Sequence, residues 1–274
     1  MDRLQGIFKR MGIEADVKPM SNEEFRQFAV DCYNESAGDL DKEDGIQCVI
    51  CNNKGWIQTI DGGYETHRHC QCWKRREGFK KAKQSGLGKY LKKSIDDYIV
   101  EEEWQGRCKR MVEGYIERHS HDNTWFIACG QSGCGKTLLG SIIANTLLTK
   151  KERAVTYVVW TDFIGKVKRD MMSERANEVS NLMEEVKNTD VLFLDEVLKK
   201  YNDTDLRYLM EIINYRYTTD KKTILTSEKP IAELLDIDEA TFSRGIEMAD
   251  SFVINIPKDQ RKNYRVRKVL NGRL

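Results

Sequence analysis

The sequence predicts an open α/β domain with a parallel sheet, preceded by a small cysteine-containing module. Apolar strands alternate with amphipathic helices along the C-terminal part of the chain, as such a sheet requires. One strand runs into a glycine-rich loop at residues 130–137, and another, Val191 to Leu194, ends in two acids. Four clustered cysteines lie ahead of this region. With 274 residues and 40% hydrophobic content, the chain can bury one substantial core and one smaller module.

The N-terminal segment predicts a short amphipathic helix. Ser21 to Glu24 has the capping-box pattern, and apolar residues follow at helical spacing. These residues are Phe25, Phe28, Ala29, Cys32 and Tyr33. Two explanations of the apolar face remain open: it packs on the cysteine module, or it contacts a partner protein. An acidic loop, Asp39 to Asp44, is predicted to follow.

Four of the eight cysteines have the spacing of metal ligands, in the pattern C-x2-C-x18-C-x-C. They are Cys48, Cys51, Cys70 and Cys72. Thiolates at such spacing predict a tetrahedral structural Zn²⁺ site, and Asp61-Gly62-Gly63 predicts the hairpin turn between the two pairs. Because the second pair is tight, His67 or His69 as a replacement ligand remains open, as do four buried thiols without metal. The scattered Cys32, Cys108, Cys129 and Cys134 are predicted to pack in the core.

A strongly basic segment follows, with nine positive charges and the single acid Glu77. The basic residues are Lys74, Arg75, Arg76, Lys80, Lys81, Lys83, Lys89, Lys92 and Lys93. The segment is either a solvated basic helix or a surface that holds a nucleic-acid backbone. We predict a domain boundary at Ser85-Gly86-Leu87-Gly88, which separates an N-terminal domain of residues 1–85 from a domain of residues 86–274.

The glycine-rich loop has the full eight-position phosphate-binding pattern. Its residues are Gly130, Gln131, Ser132, Gly133, Cys134, Gly135, Lys136 and Thr137. The pattern predicts that backbone N–H groups surround a polyphosphate, that Lys136 reaches the terminal phosphates, and that Thr137 offers its hydroxyl to Mg²⁺. The helix that begins near Lys136 adds its positive dipole end. The sequence therefore predicts a nucleotide site.

Val191 to Leu194 predicts a buried parallel strand whose tip faces the phosphates. Asp195 is predicted to bind Mg²⁺, mostly through water, and Glu196 to orient and polarise the attacking water. Two solvated acids would fit this stretch alone, but not beside the phosphate loop.

Five strands and their connecting helices are predicted. The strands are Trp125 to Cys129, Ala154 to Trp160, Val191 to Leu194, Thr223 to Thr226 and Ser251 to Ile256, and the helices are Lys136 to Thr149, Asp162 to Met172, Ala176 to Lys187 and Asp203 to Tyr217. The fourth strand ends in Thr226-Ser227-Glu228, where Ser227 is predicted to touch the γ-phosphate or the attacking water. The alternative for Ser227 is a turn hydroxyl that bonds backbone before Pro230.

Charge and hydropathy exclude several protein classes. Lys and Arg number 45 and Asp and Glu number 44, so polyanion binding requires local patches. No apolar run has the length of a membrane span, and Met1 to Arg10 lacks the apolar core of a secretory signal. We therefore expect a soluble, cytoplasmic protein with no membrane partner.

Taken together, these motifs resemble those of the AAA+ ATPases, and within them the DnaC/DnaI-like helicase loaders of bacteria and phages. The resemblance covers most of the chain. It rests on the phosphate loop, the acidic pair Asp195-Glu196, a sensor-one position at Thr226-Ser227, an arginine-finger motif at Ser243-Arg244, and the cysteine module with its basic linker. Members of this group have little or no helical lid, which fits the short segment after Ser227.

The resemblance implies that the protein uses ATP and Mg²⁺ to load a hexameric replicative helicase onto single-stranded DNA during replication initiation. It also implies self-assembly into a ring or helical oligomer, in which Arg244 of one subunit contacts the nucleotide of the next. The N-terminal domain would grip the helicase. Arg265 and Arg267 are candidates for the sensor-two role, with a merely solubilising basic tail as the alternative.

Two other functions remain open. The first is a transposition-helper ATPase of the IstB type, which would use Lys136, Asp195 and Arg244 equally well but explains the cysteine module less naturally. The second is a nucleotide-gated zinc adaptor with negligible turnover.

Overall fold

Residues 20–84, 88, 90–151, 153–173 and 176–266 are described by the structure, a computed structural model. They form two compact units. The first consists of residues 20–43 and 47–73, and the second of residues 44–46 together with the described residues from 74 to 266. Among the described residues, no helix is long and apolar enough to cross a membrane.

The first unit combines two helices with a β-hairpin. Helix α1 (Asn22–Glu35) begins with the predicted capping box, since Ser21 and Glu24 each bond the other's backbone N–H. A short helix α2 (Leu40–Asp44) replaces the predicted acidic loop, and acids in its first turn favour a helix N-terminus. Strands β1 (Trp56–Asp61) and β2 (Tyr64–His69) are antiparallel. Gly62 and Gly63 have φ of +56° and +81°, so the predicted hairpin turn is confirmed.

The second unit is built around a five-stranded sheet. Its elements in order are α3 (Trp73–Gln84), α4 (Glu103–His119), β3 (Phe126–Gly130), α5 (Lys136–Thr149), β4 (Val155–Val159), α6 (Trp160–Met172), α7 (Ala176–Asn188), β5 (Val191–Val197), α8 (Asp203–Thr218), β6 (Lys222–Ser227), α9 (Ile231–Ile237), α10 (Glu239–Ala249) and β7 (Val253–Ile256). All strand pairs are parallel, in the order β4-β5-β6-β3-β7. The predicted α/β fold with five parallel strands is confirmed. Because the strands are parallel, the ends of β3, β5 and β6 meet at one edge.

Both faces of the sheet are covered by helices, which explains the continuous apolar runs of the strands. Phe126 and Phe193 face α4 and α5, whereas Ile127 and Leu192 lie in the second core with α6, α7, α8 and α10. Cys108, Cys129 and Cys134 are buried as predicted. Cys32 is exposed, so its predicted packing role is wrong.

Two helices that follow β6 were not predicted. Helix α9 begins after Pro230, and α10 begins after Asp238, whose carboxylate accepts the Thr241 N–H at 2.6 Å. Both helices are short, and Pro230 indicates a turn, so the helical pattern in the sequence after it is weak.

Helix α3 contains part of the basic segment but buries two of its arginines. Arg75 donates from Nε to the Leu148 carbonyl at 3.0 Å, at the C-terminal end of α5. Arg76 forms an ion pair of 2.5 Å with Asp44 and also donates to the Ile46 carbonyl. These two side chains are therefore packed within the second unit and do not form a solvated face. The boundary between the two compact units falls in the first turn of α3, between residues 73 and 74. The predicted linker residues 85–87 and Lys89 lie outside the described residues.

Candidate active site

A cavity of about 410 Å³ lies at the carboxyl edge of the sheet. Its lining combines residues 132–137 of the phosphate loop with Asp195 and Glu196 after β5 and Glu228 after β6. Aromatic and basic side chains also line it, among them Tyr90, Tyr98, Trp104, Lys262, Tyr264 and Arg265. This volume and mixed lining are typical of a small-molecule site.

Two glycines of the loop have distinct structural roles. Gly135 is the N-cap of α5 at φ +94°, a conformation that suits glycine and turns the chain into the helix. Gly130, at φ +142°, does not line the cavity. A Cβ there would lie 2.7 Å from the Ile256 carbonyl oxygen, so Gly130 permits the close approach of β3 and β7.

Gln131 ties the loop to the segment that follows β7. Its side-chain amide donates to the Asp259 carbonyl at 2.5 Å and accepts the Asp259 N–H at 2.7 Å. In addition, the Tyr264 N–H donates to the Gly133 carbonyl at 2.9 Å. These bonds bring Arg265, one of the two predicted sensor-two candidates, to the cavity. Arg267 lies outside the described residues.

Lys136 is nearly fully buried in the first turn of α5 and lines the cavity. Its Nζ donates to the Gln131 carbonyl at 2.8 Å, and the Cys134 thiol donates to the same oxygen at 2.9 Å. Burial raises the pKa of the Cys134 thiol, which keeps it protonated. The loop thus holds a cation beside backbone N–H groups, the arrangement that binds phosphate oxygens.

Asp195, at the end of β5, is 3% exposed and is surrounded by hydroxyl groups. Thr137 Oγ1 lies 3.0 Å and 3.1 Å from its two carboxylate oxygens. Tyr157 donates to Oδ2 at 2.8 Å, and Thr226 donates to Oδ1. Burial, followed by the charge of Asp195, raises the pKa of Tyr157, so its phenol remains a donor. Three elements, α5, β4 and β6, therefore converge on this carboxylate.

A register shift between β5 and β6 places both acids opposite one threonine. Leu194 pairs with Leu225 and Val197 with Ser227, so Asp195 and Glu196 together lie opposite Thr226. Glu196 has φ +56°, and its N–H points to Thr226 Oγ1 at 3.3 Å. Such strained backbone is found mainly at functional sites.

The Glu196 carboxylate lines the cavity and forms an ion pair with Lys199 at 3.2 Å. Lys199 also lies 3.4 Å from Glu228. Burial alone would lower the pKa of Lys199, but the two carboxylates outweigh burial and raise it. The sequence did not indicate this lysine, whose only signal is its place three residues after Glu196.

Ser227 is fully buried, and its hydroxyl is used by the backbone. It donates to the Val197 carbonyl at 2.8 Å and accepts the Lys229 N–H at 3.2 Å. The structure therefore corresponds to the alternative of a turn hydroxyl, and it is Thr226 whose side chain reaches the acidic pair. The sequence offered both hydroxyls at this strand end, and we expected the second.

Arg244 lies on α10, and it does not line the cavity of its own chain. Its Nη1 donates to Asn214 Oδ1 at 2.6 Å, and its guanidinium lies 5.8 Å from the centre of the Tyr217 ring. The predicted contact with a neighbouring subunit's nucleotide stays a prediction.

The four predicted cysteine ligands converge in the first unit. Their sulfur atoms all lie within 4.8 Å of one another, with 3.7 Å between Cys48 and Cys70 and 3.6 Å between Cys51 and Cys72. Tetrahedral Zn²⁺ with bonds of about 2.3 Å requires sulfur separations of roughly 3.8 Å. The four thiols therefore fit structural zinc.

The neighbouring histidines point elsewhere. The His69 ring stacks between Trp56 and Trp73, with centroid distances of 3.8 Å and 4.1 Å, and His67 packs edge-on against Tyr33. Among the described residues, the potential metal site contains cysteines alone. The arrangement gives no support to a histidine ligand.

The family model of the bacterial DnaA ATPase domain matches residues 111–249, which is just over half of the chain. The chain belongs to the family of the bacterial DnaA ATPase domain. The matched segment contains the phosphate loop, the acidic pair, Thr226 and Arg244. The predicted membership of the AAA+ ATPases is thereby confirmed, and the family is one of ATPase domains.

Relatives of this DnaA-type domain include replication and phage proteins. The chain is 25% identical over 235 residues to the phage-like element PBSX protein XkdC of Bacillus subtilis, covering 76% of this chain and 82% of XkdC. It is 27% identical over 125 residues to the replicative helicase loader DnaC of Buchnera aphidicola, covering 46% of this chain and 49% of the loader. The chain thus spans about half the length of that loader. These similarities support a DnaC-like loader group, as predicted.

The crystal structure of the DnaC helicase loader has the same fold as this DnaA-type domain. The two superpose with a TM-score of 0.54 at 24% identity, covering 61% of this chain and 99% of the other.

Proposed function

We propose that this protein is an ATP-dependent loader of a replicative DNA helicase onto single-stranded DNA during replication initiation. The observation that carries the proposal is the convergence of the phosphate loop, Asp195 and Glu196 on one cavity, in a chain similar to replicative helicase loaders. XkdC as a relative also supports a phage-type origin. Similarity to replication proteins supports a place in the bacterial cytoplasm.

The residues of the cavity support ATP hydrolysis. The loop and Lys136 would bind the phosphates, while Thr137 and Asp195 would hold Mg²⁺. Their hydroxyl and carboxylate oxygens are ligands of the kind that Mg²⁺ prefers. When bound, Mg²⁺ neutralises charge on the phosphates. Glu196 is half-buried at the cavity edge, where its carboxylate can accept a proton from water.

The division of labour between the two units is part of the proposal. The first unit, which contains the cysteine cluster, would contact the helicase. On its helix α1, the side chains of Phe25 and Phe28 are 61% and 53% exposed and would take part in this contact. The ATPase unit would contact single-stranded DNA and assemble side by side, with Arg244 acting on the next subunit's nucleotide. Exposed lysines of α3 would add salt-dependent DNA affinity.

A loading assay tests this function. The protein is mixed with the replicative helicase of its host and circular single-stranded DNA, with and without ATP, and helicase retained on the DNA is measured after gel filtration. We expect ATP-dependent retention that Lys136→Ala abolishes, because this change removes the phosphate-binding cation. Lys150→Ala is the matched control, since Lys150 is exposed at the far end of the same helix.

Glu196→Gln separates binding from hydrolysis in the same assay. The amide keeps the shape of the side chain but cannot accept the proton, so ATP binding persists while turnover falls by about 100-fold or more. Glu239→Gln on the exposed start of α10 is the control. Helicase retention that is identical without ATP, or ATP turnover with no helicase contact, would exclude the loader function and favour an adaptor or a transposition helper.

A further inference from the structure

The Asp195 carboxylate is held from both sides by hydroxyls of the neighbouring strands. Tyr157 of β4 donates to Oδ2 at 2.8 Å, and Thr226 of β6 donates to Oδ1. Both side chains are buried, and the hydroxyl of Thr137 lies against both oxygens. The carboxylate plane is therefore fixed by bonds at both of its oxygens.

This arrangement also compensates a buried charge. Within the described part of the chain, Asp195 has no ion-pair partner, so its stabilisation comes from the three hydroxyl donors. Hydrogen bonds to a charged group are worth more than those between neutral groups. Losing one of these hydrogen bonds weakens both the stabilisation of the buried charge and the orientation of the carboxylate.

Tyr157 is rigidly placed for this contact. Its ring packs edge-on against Phe193 with a centroid distance of 4.8 Å, and it lies within the apolar core of β4. Phenylalanine would fill the same space, so packing alone does not require the hydroxyl. The phenolic oxygen is what distinguishes this residue from an ordinary core aromatic.

We propose that Tyr157 is a positioning residue for the divalent cation that accompanies the nucleotide, acting by fixing the plane of the Asp195 carboxylate. The inference rests on the proposed nucleotide function of the cavity. Mg²⁺ requires ligands in near-ideal octahedral positions, whereas Ca²⁺ accepts flexible geometry. A carboxylate that is free to turn therefore weakens Mg²⁺ more than Ca²⁺.

Tyr157→Phe tests the inference by nucleotide binding rather than by turnover. A fluorescent ATP analogue is bound to the full-length protein in EDTA, and then at increasing Mg²⁺ or Ca²⁺. We expect metal-free affinity within about twofold of wild type, an approximately tenfold higher Mg²⁺ concentration at half-saturation, and a smaller shift for Ca²⁺. Tyr115→Phe is the control, because it removes a buried hydroxyl that bonds Thr124 and Lys222 instead. It is expected to leave both metal requirements unchanged.

A second pair of variants keeps the test decisive if Tyr157→Phe folds poorly. Thr226→Val removes the donor at the opposite oxygen and should raise the Mg²⁺ requirement, whereas Thr226→Ser should retain the wild-type value. An unchanged Mg²⁺ requirement in folded Tyr157→Phe, or equal shifts for Mg²⁺ and Ca²⁺, would overturn the inference. Wild-type protein that binds no nucleotide would instead overturn the proposed function, and this inference with it.

Discussion

Lys199 and Glu196 form a 3.2 Å ion pair at the edge of the nucleotide cavity, and Glu228 lies 3.4 Å from the same ammonium group. The positive charge of Lys199 holds the Glu196 carboxylate, which is the proposed water-activating group, in place. Its two side chains are 38% and 31% exposed, so the attraction is partly screened by solvent.

Replacing Lys199 should therefore release Glu196 for catalysis. We expect Lys199→Ala to raise basal ATP turnover by about two- to fivefold, since a partly exposed pair contributes about 1 kcal/mol or less. Nucleotide affinity should not change. Steady-state phosphate release checks this, with Lys200→Ala as the exposed neighbouring control. Lower turnover in Lys199→Ala would mean that the lysine assists the reaction instead.

Arg244 is predicted to act on a neighbouring subunit, because it does not line its own cavity. Arg244→Ala should keep ATP affinity and lose hydrolysis stimulated by assembly. Mixing it with Lys136→Ala should restore part of the activity, since mixed interfaces pair an intact loop with an intact arginine. Arg207→Ala, an exposed arginine on α8, should behave as wild type. Full activity of an isolated Arg244→Ala monomer would contradict the prediction.

The cysteine site is predicted to hold one Zn²⁺ per chain. Cys70→Ser should lose the metal and unfold the first unit, because the bound ion replaces much of a core there, while nucleotide affinity should be retained. Metal analysis combined with circular dichroism measures both effects. His69→Ala should keep its zinc, since His69 stacks on tryptophans. Protein prepared under reducing, chelator-free conditions without zinc would favour buried thiols.

The burial of Lys222 predicts that the free energy of unfolding depends on pH. Its ammonium is fully buried against the Tyr115 hydroxyl and the Thr124 carbonyl, with Asp122 at 3.7 Å. Burial lowers the pKa of Lys222 to about 7. Between that value and the unfolded pKa of about 10.4, the unfolded chain binds more protons, so folding stability should rise with pH across this window.

Lys222→Met isolates this effect. The variant lacks the titrating group, so the difference in unfolding free energy between wild type and variant should change in favour of wild type from pH 7 to pH 10. Urea unfolding at several pH values provides the measurement. A difference independent of pH would show that Lys222 stays charged in the folded protein.

The parts of the site that consist of consecutive residues could be predicted from the sequence. Residues 132–137 and Asp195-Glu196 stand at the ends of apolar strands, and parallel strands bring such ends to one edge. The cluster of four cysteines was predictable for a similar reason, since the spacing within each pair is local. In each case, residues close to one another in the chain have a pattern of types that is sufficient to predict the feature.

Contacts between distant segments were decided by the tertiary structure. The choice between Thr226 and Ser227 depends on the register shift that sets both acids opposite Thr226. Tyr157 has the apolar neighbours of a core residue, and only the placement of β4 beside β5 brings its hydroxyl to Asp195.

The charge pattern of the basic segment indicated exposure, yet Arg75 bonds a carbonyl 73 residues away. Local periodicity records which side of a helix or strand is apolar, whereas hydrogen-bond partners across the sheet are set by strand order, register and helix packing. The sequence by itself therefore determined the fold class, the phosphate loop, the acidic pair and the cluster of four cysteines. The tertiary structure decided which neighbouring side chains orient them.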